Sequence, residues 1–362
     1  MEGKEKNTGS LKVNEGVEHP PSVNPKVMGK THRKKRKKYS VEEYVSGIIS
    51  GNTTMLSQAI TLVESSLPEH YDMSQEIIEK CLPEASKSLR IGITGIPGAG
   101  KSTFIETFGL YAVESGRKLA VLAVDPSSSN TKGSILGDKT RMEKLSTHPN
   151  AFIRPSPSAG TLGGVARKTR ESIILCEAAG FDTIFVETVG VGQSETAVRS
   201  MVDFFLLLML AGAGDEIQGI KRGIIEMADL IAITKADGQN VIPAENAKVV
   251  FSNALRLFPD PQSGWKPLVM TCSALFGSGI PAIWNLICDY AEFTRKTGFF
   301  EQARKQQAVL RMHDTINEYL KGSFYNDHDV KAMLPNIERQ LQEGTVTSYK
   351  AALALLNKYF EK

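Results

Sequence analysis

Residues 91–103 read Ile-Gly-Ile-Thr-Gly-Ile-Pro-Gly-Ala-Gly-Lys-Ser-Thr. The part from Gly95 to Ser102 matches the pattern G-x-x-x-x-G-K-[ST], in which a glycine-rich loop joins a buried strand to a helix. Its glycines let backbone N–H groups close around phosphate oxygens, and the N-terminus of the following helix adds a favourable dipole. The sequence therefore predicts a phosphate-binding P-loop that follows a strand at residues 91–94.

Apolar runs of strand length recur after the P-loop. They cover residues 119–124, 183–187, 204–210, 230–234 and 268–271, with helical patterns at 102–114, 165–179, 217–227 and 244–257 between them. Nearly continuous apolar strands that alternate with helices indicate a parallel sheet covered on both faces. We therefore expect an α/β fold of the P-loop NTPase type, with a mainly parallel sheet flanked by helices and with helical extensions at both ends.

The chain divides by composition and pattern into four predicted segments. Residues 1–38 form a basic tail that is disordered by composition, and residues 39–88 form an N-terminal helical extension. The P-loop domain covers residues 89–298. In the last segment, residues 299–362, apolar residues follow helical spacing, as in Val309, Met312, Ile316 and Leu320.

Composition excludes several classes of protein. The chain has 362 residues, and no apolar run approaches the roughly 18 residues that a membrane helix needs. Its cysteines lie far apart without a C-x-x-C pattern, which argues against a disulfide framework and against a cysteine-rich metal site. These cysteines are Cys81, Cys176, Cys272 and Cys288. We expect a cytoplasmic protein.

Charge is distributed unevenly along the chain. The net charge is +3, but residues 1–38 hold 11 Lys and Arg against 4 Asp and Glu, which leaves 32 against 36 in the rest. The tail ends in six consecutive Lys and Arg residues at 33–38. Such a run suits contact with nucleic acid or anionic lipid, and it also suits a tail that only improves solubility.

The P-loop pattern assigns roles at the phosphate site. Lys101 would reach the β- and γ-phosphates, and Ser102 would be a ligand of Mg²⁺. The predicted nucleotide-binding residues of this loop are Gly95, Pro97, Gly98, Ala99, Gly100, Lys101, Ser102 and Thr103.

Three carboxylates are candidates for completing the Mg²⁺ site. Asp125 ends the second predicted strand, Asp138 follows a loop rich in Ser, Thr and Gly, and Glu187 ends the strand at 183–187. Magnesium prefers oxygen ligands, and ligands bind at the carboxyl ends of the strands in such sheets. Each of the three could instead be a helix cap or a turn residue.

A short motif after Glu187 predicts a nucleotide-sensing segment. Gly190 could donate its N–H to the γ-phosphate and so couple hydrolysis to movement of residues 191–196. Many regulatory GTPases have D-x-x-G-Q here, with the Gln orienting the attacking water. In this chain Gln193 stands three residues past the Gly. We therefore expect slow intrinsic turnover, with a partner or a second subunit completing the site.

The end of the strand at 230–234 predicts a preference for guanine. Thr234-Lys235-Ala236-Asp237 fits the pattern [NT]-K-x-D, in which the Asp accepts hydrogen bonds from guanine N1–H and N2–H₂. Adenine has an acceptor at N1, so the same Asp would face a lone pair. We expect Thr234, in place of the commoner Asn, to loosen a contact to neighbouring backbone. The loop after residues 268–271 would meet the base through Ser273, Ala274 and Leu275.

Three longer stretches, at residues 133–142, 187–195 and 214–229, resemble the MeaB/ArgK family of P-loop GTPases, to which the human methylmalonic aciduria type A protein is related. The resemblance runs from about Ser40 to the C-terminus. It implies a GTPase chaperone that gates cofactor loading of an adenosylcobalamin-dependent acyl-CoA mutase, typically methylmalonyl-CoA mutase, and protects or reactivates that mutase. It also implies Mg²⁺ bound by Ser102, Asp125, Asp138 and Glu187, and a homodimer formed by the C-terminal helices.

The sequence contains no D-x-H-x-x-G cobalamin-binding motif, so we expect the cobalamin to belong to the partner. Two other functions stay open. A nickel-insertion GTPase is disfavoured because the histidines and cysteines are scattered. A nucleic-acid-binding switch would use residues 33–38 for its affinity.

Overall fold

The computed structural model describes residues 39–65, 67–85, 87–124, 142–155, 162–188, 194–212 and 222–361. The basic run at 33–38 lies outside the described residues, as do Asp125, Asp138, Gly190 and Gln193. From Val41 onward the chain belongs to one structural unit. The segment boundaries at residues 38, 88 and 298 stay predictions.

Seven parallel strands form one sheet in the described residues, in the order β3-β2-β4-β1-β5-β6-β7. The strands are β1 (Leu89–Gly95), β2 (Leu119–Val124), β3 (Ala151–Arg154), β4 (Thr183–Thr188), β5 (Phe204–Leu210), β6 (Leu230–Thr234) and β7 (Leu268–Thr271). Every strand except β3 coincides with an apolar run of the sequence. The predicted α/β class with a parallel sheet is confirmed.

The edge strand β3 was not predicted. It has four residues, all of them only half-buried. A strand this short has too few residues to show a periodic pattern, and its place at the edge of the sheet removes the need for a continuous apolar run.

Helices cover the sheet and follow the strands in the chain. They are α4 (Lys101–Glu114), α5 (Glu143–Ser146), α6 (Leu162–Ala178), α7 (Ser194–Arg199), α8 (Arg222–Met227), α9 (Val241–Leu255) and α10 (Ile280–Lys296). The helix predicted at 217–227 is described only from Arg222. The helix α10 was not predicted, although its buried residues Ile283, Ile287 and Tyr290 follow helical spacing.

The N-terminal extension consists of α1 (Val41–Ile49), α2 (Thr53–Glu64) and α3 (Pro68–Cys81). The Asn52 side chain caps α2 by accepting from the backbone N–H groups of Thr54 and Met55. Glu64, in the last turn of α2, is held by the Arg154 guanidinium, and its carbonyl accepts from Lys168 Nζ at 2.6 Å. The extension is therefore fastened to β3 and α6.

The C-terminal residues form α11 (Phe299–Asn326), α12 (His328–Gln342) and α13 (Ser348–Phe360), as the helical spacing predicts. The first of these helices has 28 residues. A small cluster of buried side chains joins α12 to α13 through Val330, Ile337, Ala351 and Leu355.

The strand order places the P-loop at the centre of the sheet. β1 lies between β4 and β5, and β5 is followed by β6. Because all strands run in the same direction, the carboxyl ends of β1, β4 and β6 meet at one edge. Ligands bind at this edge in open parallel sheets.

Candidate nucleotide-binding site

The P-loop joins the last residue of β1, Gly95, to the first residue of α4, Lys101. Gly98 and Gly100 have φ angles of 79° and 80°, in the left-handed region that glycine adopts without steric cost. Gly95 serves a different purpose, since a Cβ there would lie 2.5 Å from the carbonyl oxygen of Leu208 in β5. The glycines thus shape the loop and allow β1 to approach β5.

Lys101 lies inside the loop that it belongs to. Its Nζ donates to the carbonyl oxygen of Gly95 at 2.9 Å. Burial lowers the pKa of this lysine, and the nearby carboxylates of Glu187 and Glu195 partly oppose that effect. Ser102 is half-buried in the first turn of α4, and Thr103 next to it is exposed. A half-buried cation at a helix N-terminus is suited to bind phosphate.

Acidic residues face the P-loop from the neighbouring strand. Glu187 stands near the end of β4, in register with Ile93 of β1, and is buried. The next residue, Thr188, donates its hydroxyl to that of Thr94 at 2.7 Å, which fixes the two strand ends together. Glu187 is therefore held within the electrostatic range of Lys101.

Glu195, the last residue of the stretch at 187–195, was not predicted as a site residue. It lies in the first turn of α7 and is completely buried, and its charge acts on Lys101. An acidic residue eight positions after Glu187 was visible in the sequence. Only the path of α7 back to the P-loop makes it part of the site.

The residues present fit a Mg²⁺ ion beside the phosphates. Ser102 and Glu187 offer a hydroxyl and a carboxylate, the oxygen ligands that Mg²⁺ prefers. Within the described ranges no group of three His, Cys, Asp or Glu residues could hold a metal by itself. Asp125 and Asp138, the other predicted ligands, belong to the part of the chain that is not described.

Thr234 connects the end of β6 to the P-loop. Its hydroxyl, fully buried, lies 2.8 Å from the carbonyl oxygen of Ala99 and 3.1 Å from that of Met209. We expected a looser contact here because Thr replaces Asn. The structure differs, since the shorter side chain still reaches the loop from the last residue of the strand.

Lys235 takes an unusual backbone conformation. Its φ of 56° is the only positive φ of a non-glycine residue in the described parts of the chain. The turn is held by Asn240, whose Nδ2 donates to the Lys235 carbonyl at 2.7 Å. The Lys235 Cε lies 3.8 Å from the position of a Cβ on Gly100, so its stem lies along the P-loop. Such a stem can pack against a flat base.

Asp237 and Ser273 meet across two loops. The Ser273 hydroxyl donates to one carboxylate oxygen of Asp237, and the Ser273 side chain is buried. A bond from Ser273 N to Ser278 O at 2.9 Å fixes the second loop. One oxygen of Asp237 is therefore held by Ser273, and the other accepts no hydrogen bond from the described part of the chain, which leaves it available to a ligand.

The loop after β7 also contacts the helix that follows the P-loop. Thr107 of α4 donates to the carbonyl oxygen of Ala274 at 2.9 Å. Leu275 is 76% exposed, at the outer side of the loop. The phosphate-binding helix and the predicted base-binding loop are thus tied to one another.

The central strand β1 leads into a P-loop, and a lysine and an aspartate of guanine-binding type follow β6, which is separated from β1 by β5 alone. This combination defines the class of P-loop GTPases. A family model described as methylmalonyl Co-A mutase-associated GTPase MeaB matches residues 56–329. The chain belongs to this family.

Individual relatives agree with that assignment. The chain is 47% identical over 289 residues to the GTPase ArgK of Escherichia coli, covering 80% of this chain and 87% of that protein. It is 43% identical over 329 residues to the methylmalonic aciduria type A homolog, mitochondrial, of Mus musculus, covering 88% and 79%. The crystal structure of a LAO/AO transport system kinase is 37% identical and matches the fold with a TM-score of 0.70, covering 89% of this chain and 98% of that one.

Among the described helices, none combines the length and the apolar character needed to span a membrane.

Proposed function

We propose that this GTPase is a chaperone of an adenosylcobalamin-dependent acyl-CoA mutase, with methylmalonyl-CoA mutase as the first candidate. In this role GTP hydrolysis gates the loading of the cofactor and protects or reactivates the mutase. The observation that carries the proposal is the family match, which spans both the P-loop domain and part of the C-terminal helices. The cobalamin belongs to the partner, because this sequence has no D-x-H-x-x-G motif. We keep a cytoplasmic location as part of the proposal.

In the proposed reaction the P-loop holds the phosphates and Lys101 neutralises charge on the transferred group. Ser102, Asp125, Asp138 and Glu187 would hold Mg²⁺, which would supply positive charge to the phosphates. The carboxylates of Glu187 and Glu195 partly oppose the effect of burial, which lowers the pKa of Lys101. Phosphoryl transfer depends mainly on such positioning and charge stabilisation.

Guanine recognition would use the free oxygen of Asp237 and the loop at residues 273–275. Because the Ser273 hydroxyl holds one oxygen of the carboxylate, the other oxygen is oriented before the base arrives. Ala274 and Leu275 would offer backbone N–H groups to the base O6. This arrangement favours GTP over ATP, since adenine cannot donate from N1.

Nucleotide state would reach the partner through the segment that follows β4. Gly190 would donate to the γ-phosphate and pull on residues 191–196. That segment enters α7, where Glu195 is buried within the electrostatic range of Lys101. Loss of the γ-phosphate would therefore change the interactions at both ends of the segment, at Gly190 and at Glu195.

A homodimer is part of the proposal, and α11 is its candidate surface. Residues spaced along one face of this helix contact the P-loop domain, as in the bonds from Gln307 to Val202 and from Arg304 to Asp203. The opposite face carries large apolar side chains that are 46–56% exposed: Val309, Met312, Ile316 and Leu320. A second copy of the chain would cover this stripe.

The experiment that tests the proposal is affinity capture by the purified chain from cell extract, with GDP or with a non-hydrolysable GTP analogue. We expect an adenosylcobalamin-dependent acyl-CoA mutase to be retained in a nucleotide-dependent way. Asp237→Asn serves as the control, because it should lose the nucleotide dependence while leaving the surface unchanged. Ribosomal or nucleic-acid partners without a mutase would overturn the chaperone proposal and favour the switch that uses the basic run at 33–38. Retention of a nickel enzyme would favour metal insertion.

A further inference from the structure

A cavity of about 140 Å³ lies at the amino-terminal edge of the sheet, on the other side from the P-loop. Arg90, the second residue of β1, lies in its wall, whereas Gly95 at the far end of the same strand begins the P-loop. The other walls come from α6, from α11 and from Ser200 and Met201 after α7. The cavity is therefore separate from the nucleotide site.

The cavity is lined by four arginines, of which two are fully engaged by the protein. Arg90 donates from Nε and Nη2 to the two oxygens of Glu177, both at 2.8 Å. Arg304 donates from Nε and Nη2 to the two oxygens of Asp203, at 2.8 and 2.7 Å. Both carboxylates are buried, so these forks have a structural role.

The other two arginines, Arg170 and Arg311, have N–H groups that donate no hydrogen bond within the described residues. Arg170 donates from Nη1 to Asp314 at 2.9 Å and from Nη2 to the Ser200 hydroxyl at 2.7 Å, while its buried Nε has no partner in the described residues. Arg311 donates no hydrogen bond to any described residue and lines the cavity. Burial lowers the pKa of Arg311; the charge of Glu171 opposes this effect, whereas the charges of Arg170 and Arg90 add to it.

Arg311 is attracted by the charge of Glu171 but donates no hydrogen bond to a described residue, so an anion that accepts from its guanidinium would be stabilised in the cavity. The guanidinium fork of arginine fits the oxygens of phosphate and carboxylate groups in a bidentate manner. The site thus has the charge and the donor geometry of an oxyanion site.

Two features favour phosphate among the oxyanions. A cavity needs only about 10–15 Å³ to hold one water, so the cavity has room for a tetrahedral ion with part of its hydration. The side-chain oxygen of Gln307, in the same wall, is buried and has no partner within the described chain, because Nε2 is turned to the carbonyl of Val202 at 2.8 Å. Hydrogen phosphate, like a phosphate monoester in its singly ionised form, offers acceptors to the arginine and a hydroxyl that can donate to an amide oxygen, whereas a carboxylate offers acceptors only.

We propose that this cavity binds a phosphate group, either free phosphate or the phosphate of a small monoester, and that Arg311 is the residue that holds it. The competing role for Arg311 is structural. Glu171 on α6 has a buried oxygen without a described partner, and its charge attracts Arg311. In that case Arg311 would only neutralise Glu171, and added phosphate would have no specific effect.

The test uses the full chain saturated with GDP and Mg²⁺, so that the P-loop is filled. Inorganic phosphate or glycerol phosphate is added at constant ionic strength, with sodium chloride as the reference, and the midpoint of thermal unfolding is measured. At ten times its Kd the ligand should raise the midpoint by about 3 °C. A response to both compounds identifies a monoester site, and a response to inorganic phosphate alone identifies a site for the free ion.

Variants separate a specific site from general stabilisation by phosphate salts. Arg311→Gln should abolish the rise, and Arg311→Lys, which keeps the charge but loses the fork, should weaken binding about tenfold or more. Lys305→Gln removes a charge from an exposed position of the same helix and should respond like the wild type. An equal rise in all four proteins, or no rise in the wild type, would overturn the proposal. If Arg311→Gln does not fold, Arg311→Lys alone decides.

Discussion

The hydroxyl of Ser273 donates a hydrogen bond to the carboxylate of Asp237, although 36 positions separate the two residues. The bond joins the turn after β6 to the loop after β7 and fixes one oxygen of Asp237. A carboxylate that is oriented in this way loses little freedom when it accepts the two donors of guanine.

Replacing the carboxylate should change the base that is bound. In Asp237→Asn the amide can donate to a carbonyl at position 2 of the base, so xanthine nucleotides should gain affinity. GDP should bind roughly 100-fold more weakly or worse, because the charged acceptor is lost and the amide NH₂ faces the donor NH₂ of guanine. Titration with GDP and with xanthosine diphosphate measures both effects.

Ser273→Ala should weaken the binding of GDP about tenfold without changing the preferred base. A reversed preference in Ser273→Ala would contradict this role.

The hydroxyl of Thr234 should matter for stability as well as for binding. Thr234→Val keeps the shape but leaves the buried carbonyl of Ala99 without its donor, which should cost about 1–3 kcal/mol of unfolding free energy. Denaturant unfolding measures the loss, and Thr234→Ser, which keeps the hydroxyl, is the matched control. Equal stability of the valine and serine variants would show that the contact at 2.8 Å is dispensable.

Two glycines of the P-loop should respond differently to alanine. Gly95→Ala places a Cβ 2.5 Å from a carbonyl oxygen of β5, so we expect about 1–3 kcal/mol of destabilisation from overpacking. A Cβ on Gly98 would touch nothing, but the φ of 79° should cost about 1–2 kcal/mol. Thermal unfolding without nucleotide compares the two. Gly98 lies in the loop and Gly95 in the sheet. Gly98→Ala should therefore weaken nucleotide binding while the sheet packs normally, whereas Gly95→Ala should disturb the packing of β1 against β5.

The affinity for nucleotide should fall as the pH rises. The fall should begin at a lower pH than it would if Lys101 had the pKa of a free lysine. Burial lowers the pKa of Lys101 in the ligand-free protein, and bound phosphates favour the charged form. Binding therefore takes up a proton once the pH exceeds the lowered pKa, so the affinity for GDP decreases from there upward. The measurement is the GDP affinity from neutral pH to about pH 10, still below the ordinary lysine value. Lys101→Arg should lack this decline. Titration of the guanine base affects both proteins equally, so it cannot produce a difference between them. Parallel curves of GDP affinity against pH for the two proteins would refute the prediction.

The exposed stripe on α11 should govern self-association. Met312→Glu combined with Ile316→Glu places charges where 52% and 46% of the side chains are exposed, and we expect monomers in sedimentation velocity. Asn317→Glu adds a charge at an exposed position of the same helix and should leave the dimer intact. If the wild type, the double variant and Asn317→Glu are all dimers, the stripe is not the interface.

Local patterns predicted the elements that carry the site. The P-loop, six strands of the sheet and the guanine-type motif at 234–237 were visible because each depends on residues adjacent in the chain. The strand β3 and the role of Glu195 were not visible. A strand of four half-buried residues has no periodic signal, and an acidic residue becomes part of a site only when its helix packs beside the P-loop.

The sequence by itself determined the class of fold and the chemistry that the loops can perform, because glycines, apolar periods and short motifs act over a few neighbouring residues. Tertiary structure alone decided which distant groups meet. Thr234 reaches Ala99 across 135 positions, and Arg304 reaches Asp203 across 101. The physical reason is that hydrogen bonds and charges act over a few ångströms, while the packing of buried strands and helices sets which side chains come within that range.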